Sequence, residues 1–199
     1  MTRAEPTVPT RFELDLPAWV VPWLGSRPTT LPTDEERAGL VLDLAGEHVE
    51  RRTGGPFAAA IFDGASGQLL AVGVNLVVPS RACIAHAEMV AFALAGQGLG
   101  SFDLGAGSPV VLVASTEPCA MCLGAIPWSG VARVVCSARD EDARAIGFDE
   151  GLKPAGWTTH LESSGVAVVR DVRRDEGQAV LQRYAALGGD VYCPADARA

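Results

Sequence analysis

The stretch FAAAIFDGASGQLLAVGV, Phe57 to Val74, holds two apolar runs separated by six residues, the first five of which tolerate turn geometry. Phe57 to Phe62 and Leu69 to Val74 therefore read as the two strands of an antiparallel hairpin, with Asp63-Gly64-Ala65-Ser66-Gly67 as its connection. Upstream, Thr33 and Glu36 have the spacing of a capping box, and Ala38, Val41, Leu42, Ala45 and Val49 follow on one helical face. A helix is expected from Thr33 to about Arg51, stopped by Gly54-Gly55. Downstream the chain alternates: a helix from about Ala85 to Ala95, a strand Val110 to Ala114, a helix from Cys119, a strand Val131 to Cys136 and a short helix near Asp140. A strand Val166 to Val169 and a helix Asp175 to Leu187 complete the series. Strands separated by helical patterns need crossovers, so the sheet must be partly parallel. The expectation is a three-layer α/β/α sandwich around a mixed sheet of about five strands, with the hairpin at one edge.

Before this domain, Pro6, Pro9, Pro17, Pro22, Pro28 and Pro32 interrupt the first thirty-two residues, together with Trp19 and Trp23. So many ladder and helix breakers predict an irregular arm over residues 1–32, a single domain over 33–199, and an unstructured end after Cys193. The 199 residues suffice for one full hydrophobic core, and 48% hydrophobic against 20% charged residues excludes disordered, collagen-like and coiled-coil chains. A formal charge of -8 repels phosphate backbones, so nucleic acid is an unfavoured partner. Residues Met1 to Pro9 show no basic and apolar leader pattern, and no apolar stretch approaches bilayer-spanning length. The expected setting is cytoplasmic, without a membrane. In a reducing compartment the odd set of five cysteines, two of them as Cys-x-x-Cys, reads as metal or redox chemistry.

That pair, Pro118-Cys119-Ala120-Met121-Cys122, opens one expected helix, and His86-Ala87-Glu88 opens the one before. Two thiolates three residues apart at a helix start lie on one face, where the free N–H groups of the first turn offset their charge. With one histidine they make three N/S ligands, a set that suits zinc and leaves a fourth tetrahedral position open for water. Glu88, about 200 degrees round the helix from His86, stands clear of the ligand set and can carry the proton of that water. Taken singly, Cys-x-x-Cys also fits a redox pair or half of a structural zinc site, and His-x-Glu fits a surface pair. Together, with one strand between them, they match the zinc-deaminase signature. His48 and His160 are isolated, and Cys83, Cys136 and Cys193 are scattered, so no second pair closes the site.

On these residues the chain resembles the cytidine-deaminase superfamily, and within it the bacterial guanine deaminases, including those that also accept the triazine ammeline. The resemblance runs from about Pro56 to Tyr192. Its marks are Gly55-Pro56-Phe57-Ala58-Ala59-Ala60, Asn75, Ala85-His86-Ala87-Glu88, Glu117-Pro118-Cys119-Ala120-Met121-Cys122, Trp128-Ser129-Gly130-Val131 and Gly147-Phe148-Asp149-Glu150-Gly151. The last segment narrows the likeness to the guanine branch. It implies hydrolysis of guanine to xanthine and ammonia, one zinc ion on His86, Cys119 and Cys122, and Glu88 as proton shuttle. Glu150 would be a second acid near the departing amine, and Asn75 a hydrogen-bonding partner of the purine edge. Ala87 would belong to the substrate site, and Phe57, Trp128 and Phe148 would line or stack on the ring. The resemblance further implies a homodimer in which the C-terminal segment of one subunit can cover the other's site, and Asp190-Val191-Tyr192 sits where such a cap would end.

Read without the resemblance, Phe57 and Phe148 fit a core equally well, Trp128 fits helix-end packing, Asn75 a turn, Glu150 a solvated loop acid and Tyr192 a frayed tail. Three rival activities share the metal pattern: deamination of another small substrate such as a guanine nucleoside, a triazine or cytosine; deamination of tRNA adenosine; and a non-catalytic zinc-stabilised binding module. Retention of Glu88 and the missing fourth protein ligand argue against the last, and the acidic balance argues against the tRNA.

Overall fold

The computed structural model describes residues 8–192. Its elements in chain order are α1 (Val20–Leu24), α2 (Asp34–Glu50), β1 (Ala58–Asp63), β2 (Leu69–Val74), α3 (Val77–Ser80), α4 (Ala87–Leu99) and β3 (Val110–Thr116). Then come α5 (Ala120–Ser129), β4 (Arg133–Ala138), α6 (Asp140–Ala145), α7 (Trp157–Ser163), β5 (Ala167–Val169) and α8 (Arg174–Ala186). The strands form one five-stranded sheet in the order β2-β1-β3-β4-β5. β1 runs antiparallel to β2 and β3, whereas β3, β4 and β5 are parallel. This is the expected mixed sheet with the hairpin at its edge.

Side-chain alternation along β1 builds the three layers. Ala58, Ala60 and Phe62 point into a core shared with Val41, Leu44 and Ala45 of α2, while Ala59 and Ile61 face Ala87, Ala91 and Ala95 of α4 and Ile126 of α5. The stretch around β1 is buried on both faces, which is why it reads as a nearly continuous apolar run. Thr33 caps α2 through the full capping box with Glu36. Among the described residues, no helix is long and apolar enough to cross a membrane.

The boundaries depart from expectation in instructive places. The Pro-rich arm contains a helix, α1, because Pro22 falls in its first turn, where an amide proton has no intrahelical partner, and fully buried Val20 anchors it in the core. Helix α4 continues past Gly96 and Gly98 to the left-handed Gly100 cap, held by its alanine stripe on the sheet. Helix α7 has no clear sequence signal, since Thr158 and Thr159 are weak helix formers; buried Trp157 and Leu161 hold it in place. The end after Cys193 lies outside the described residues.

Candidate active site

The three expected ligands meet at the carboxyl end of β3, between the starts of two helices. His86 is the N-cap residue of α4 and Cys119 that of α5, both with extended backbone, so both side chains leave the helices at their N-terminal ends. The ring Nδ1 of His86 lies 3.4 Å from the Cys119 sulfur. One ligand atom each from His86, Cys119 and Cys122 lie within 4.8 Å of one another, and no other such group occurs among the described residues. Zinc bonds of about 2.0–2.3 Å in a tetrahedron separate ligand atoms by roughly 3.5–3.8 Å, so this set fits a zinc ion.

The site's electrostatics follow from its donors. A hydrogen bond from Cys122 holds the Cys119 thiol down to about 4, burial opposing and His86 assisting, as suits a thiolate at a helix start. Cys122, which gives that hydrogen bond, is raised, and its burial adds to the effect. His86 is raised: burial works against the charged ring, but Cys119, Glu88 and Glu150 outweigh it. Glu88, the second residue of α4 and almost wholly buried, is pushed up to about 6, first by burial and then by the Cys119 charge.

A cavity of about 160 Å³ opens beside this triad. It is smaller than the roughly 300–1,000 Å³ of pockets for drug-sized molecules, which suits a single small ring system. Glu88 and Glu150 both line it, as do Phe57, Asn75, Phe148 and Tyr192. Phe148 stands edge-on to Phe57, with ring centroids 4.9 Å apart, and to Tyr192, at 5.4 Å. Phe57 and Phe148 thus serve core and cavity at once, and Tyr192, the last described residue, closes the wall of its own chain's cavity.

Glu150 is no solvated loop acid. The amide of Ala120 donates to its carbonyl oxygen at 2.9 Å, which docks the 147–151 loop on the start of α5. Gly151 makes that approach possible: it has a φ of 71°, and a Cβ there would lie 2.9 Å from the Ala120 Cβ. Burial first, then the charges of Cys119 and Glu88, push the Glu150 carboxyl up to about 8. Burial and two neighbouring negative groups thus favour the protonated form of this carboxyl, which is the direction a proton donor needs.

Two expected site residues lie elsewhere. Trp128 is 84% exposed and sits at the far end of α5, about 13 Å along the helix axis from Cys119. With Phe92 and Phe102 it walls a shallow apolar groove between α4 and α5. The side chain of Ala87 faces the sheet, in the core with Ala59 and Ile61, and so gives the cavity no side-chain contact. Sequence reasoning also missed a buried charge cluster behind the cysteine loop. Lys153, the chain's single lysine, donates to the Pro118 carbonyl at 3.1 Å and pairs with Asp140 at 2.7 Å. Glu117, itself buried, accepts from Arg170 at 2.6 Å and from the Asp140 amide at 3.1 Å. The signal was present in the uniqueness of Lys153, three residues after Glu150.

The profile of the cytidine and deoxycytidylate deaminase zinc-binding region matches residues 32–138. Guanine deaminase of Bacillus subtilis is 41% identical over 109 residues, 55% of this chain and 67% of that one. Among solved structures, a guanine deaminase from Nitrosomonas europaea superimposes with a TM-score of 0.84 at 42% identity, over 90% of this chain and 99% of that one. The protein NE0047 in complex with 2,6-diaminopurine matches with a TM-score of 0.84 at 43% identity, over 92% of this chain and 96% of that one. Triad, buried Glu88 and sheet order agree with these likenesses, and the chain belongs to the cytidine and deoxycytidylate deaminase zinc-binding family.

Proposed function

We propose that this chain hydrolyses guanine to xanthine and ammonia. The observation that carries the reading is the pair of buried acids, Glu88 and Glu150, lining one base-sized cavity with the metal-ligand triad. Similarity to guanine deaminases over nearly the full length of their chains supports the purine assignment. His86, Cys119 and Cys122 would hold zinc, which when bound supplies Lewis acidity and brings the pKa of a water in its open position to roughly 7.

The chain's own residues do the rest. Glu88 receives the proton of the attacking water as its oxygen bonds to C2, and passes that proton to the ring N3. The C2–N bond breaks only when the amine leaves protonated, because amide anion is too poor a leaving group. Glu150, whose carboxyl burial raises, can donate a proton to the departing amine on its N1 side, and the C2 hydroxyl gives up its own proton as the carbonyl forms, which restores the acid. Asn75 presents its carboxamide to the purine edge, and Phe57, Phe148 and Tyr192 hold the ring plane with little water around it. One water and one guanine become one xanthine and one ammonia.

In the same reading residues 33–199 act as one catalytic domain and residues 1–32 as its arm, working in the cytoplasm. Trp128 and Phe102, exposed by 84% and 92%, then belong to the face that pairs two copies in a homodimer. The test is ammonia release by zinc-loaded protein offered guanine, guanosine, ammeline, cytosine, adenine and an adenosine-bearing anticodon stem-loop. Guanine is expected to react fastest, with ammeline the next candidate. A faster reaction with the stem-loop or cytosine would refute the assignment.

A further inference from the structure

Behind the cavity wall stands a buried histidine that no step of this chemistry uses. His48, on α2, has 0% exposure and lies outside the metal-ligand set. Its Nε2 is 2.9 Å from the backbone carbonyl of Asn75, and its Nδ1 is 2.6 Å from the Thr53 hydroxyl. That hydroxyl is in turn 3.2 Å from the indole nitrogen of Trp19, in the N-terminal arm.

The chemistry of the four groups allows one arrangement for a neutral ring. A carbonyl only accepts, so His48 Nε2 carries the proton and donates to Asn75. Nδ1 is then bare and accepts from the Thr53 hydroxyl, whose oxygen is left to accept from Trp19, which only donates. Burial lowers the His48 pKa, which keeps the ring in this neutral form.

The far end of the relay is held equally closely. The Asn75 amide donates to the Phe57 carbonyl at 3.0 Å, so both sides of this residue's backbone are tied. Its side-chain oxygen accepts from the Val77 amide at 3.3 Å, which turns the NH₂ group away from Val77. The surroundings are cut to fit: a Cβ on Gly54 would fall 2.1 Å from the Asn75 carbonyl oxygen and 2.5 Å from His48 Nε2. A Cβ on Gly55 would lie 3.1 Å from the Asn75 side-chain oxygen and 3.3 Å from the Tyr192 hydroxyl.

We propose that His48, braced by Thr53 and by Trp19 of the N-terminal arm, is the positioning residue for Asn75 and thereby sets affinity for the base. The inference rests on the reading of Asn75 as a partner of the purine edge. A swing of the Asn75 peptide moves its carboxamide relative to the ring; the same peptide's N–H, on Leu76, donates to the Ala85 carbonyl at 2.8 Å, so zinc content is the readout that shows His86 has stayed in place. Loss of the relay should therefore raise KM and spare kcat.

Two substitutions separate positioning from packing. His48→Gln retains a donor near Nε2, whereas His48→Asn retains a polar atom near Nδ1 and has none that reaches Asn75. KM and kcat for guanine, zinc content and Tm are measured for both, with Asn75→Ala as reference. His48→Asn is expected to raise KM about tenfold, with kcat within about threefold and full zinc, while His48→Gln stays within about threefold of the parent in KM. Trp19→Phe and Thr53→Val, which remove the outer bonds only, should each raise KM about two- to fivefold and give the answer even where His48→Asn fails to fold. Equal losses of Tm in both His48 variants with KM unchanged would overturn the proposal and leave His48 a packing residue. If Asn75→Ala raises KM and His48→Asn and Trp19→Phe do not, the relay fails alone; if Asn75→Ala leaves KM unchanged, the reading of Asn75 fails and the relay with it.

Discussion

Gly73→Ala tests whether the helix carrying His86 and Glu88 is seated by the edge strand beneath it. Gly73 lies in β2, paired with Ala59 of β1, and a Cβ there would fall 2.1 Å from the Ala87 carbonyl oxygen and 2.6 Å from the Ala91 amide nitrogen. Both obstacles are backbone atoms of α4, so no side chain can swing aside. A carbon and an oxygen do not rest closer than about 3.0 Å, so helix or strand must give by about 1 Å; such overpacking costs about 1–3 kcal/mol. At roughly 2–4 °C per kcal/mol for a chain of this size, Tm should drop by about 2–12 °C. The activity loss should be larger than the stability loss suggests, because α4 begins at His86 and Glu88, the proposed metal ligand and proton shuttle. A misplacement of about 1 Å at reacting groups can cost on the order of a hundredfold in rate. Thermal melts and steady-state kinetics on folded, zinc-loaded protein measure both. Gly98→Ala is the control: it lies in the same helix with open space around its Cβ position, and should leave kcat alone while adding a few tenths to about 1 kcal/mol of stability. Wild-type Tm and kcat in Gly73→Ala would refute the claim that this contact seats the helix.

Three further outcomes are expected. Glu150→Gln should leave zinc content unchanged and lower ammonia release about 10²- to 10⁴-fold, as for loss of a general acid; unaltered kinetics would reduce Glu150 to a wall residue. Lys153→Met removes the cation between Asp140 and the Pro118 carbonyl, and urea titration should show a loss of about 1–3 kcal/mol with weaker retention of zinc against a chelator; no change in either would mean that Arg170 and Arg144 hold the cluster unaided. Burial holds His48 below its unfolded value of about 6.5, so its contribution to stability is full above that pH and is lost as the pH falls toward the folded value. Unfolding free energy should therefore fall more steeply from pH 7.5 to 5 in the parent than in His48→Gln, and parallel slopes would contradict the assignment.

The sheet and the metal triad were legible because each depends on short stretches of chain. The two apolar runs of the Phe57 to Val74 hairpin and the pairing of Thr33 with Glu36 act over a few residues, and the ligands sit at two helix starts whose caps orient them. Trp128 does not reach the cavity of its own chain, because its position in the motif says nothing of how far a helix carries it from Cys119. Glu150 needed the docking of its loop on Ala120 before burial could make it an acid. His48 and Asn75 are 27 residues apart, and neither periodicity nor spacing joins a histidine on a helix to a carbonyl at a strand end. Lys153 joins parts of the chain that only the assembled sheet brings together. The short helices α1 and α7 form by anchoring a buried Val20 or Trp157 in a core that local propensity does not encode.

On the proposed reading, Glu88 moves the proton in a zinc-dependent hydrolysis of guanine. The most direct test is xanthine formation from guanine by the parent and by Glu88→Gln at equal, measured zinc content, with guanine binding determined for both. Ready turnover is expected of the parent, and of Glu88→Gln full zinc, retained guanine binding and a rate lower by about 10²- to 10⁴-fold. Near-parental turnover by Glu88→Gln, or a zinc-loaded parent inert toward guanine, would contradict it.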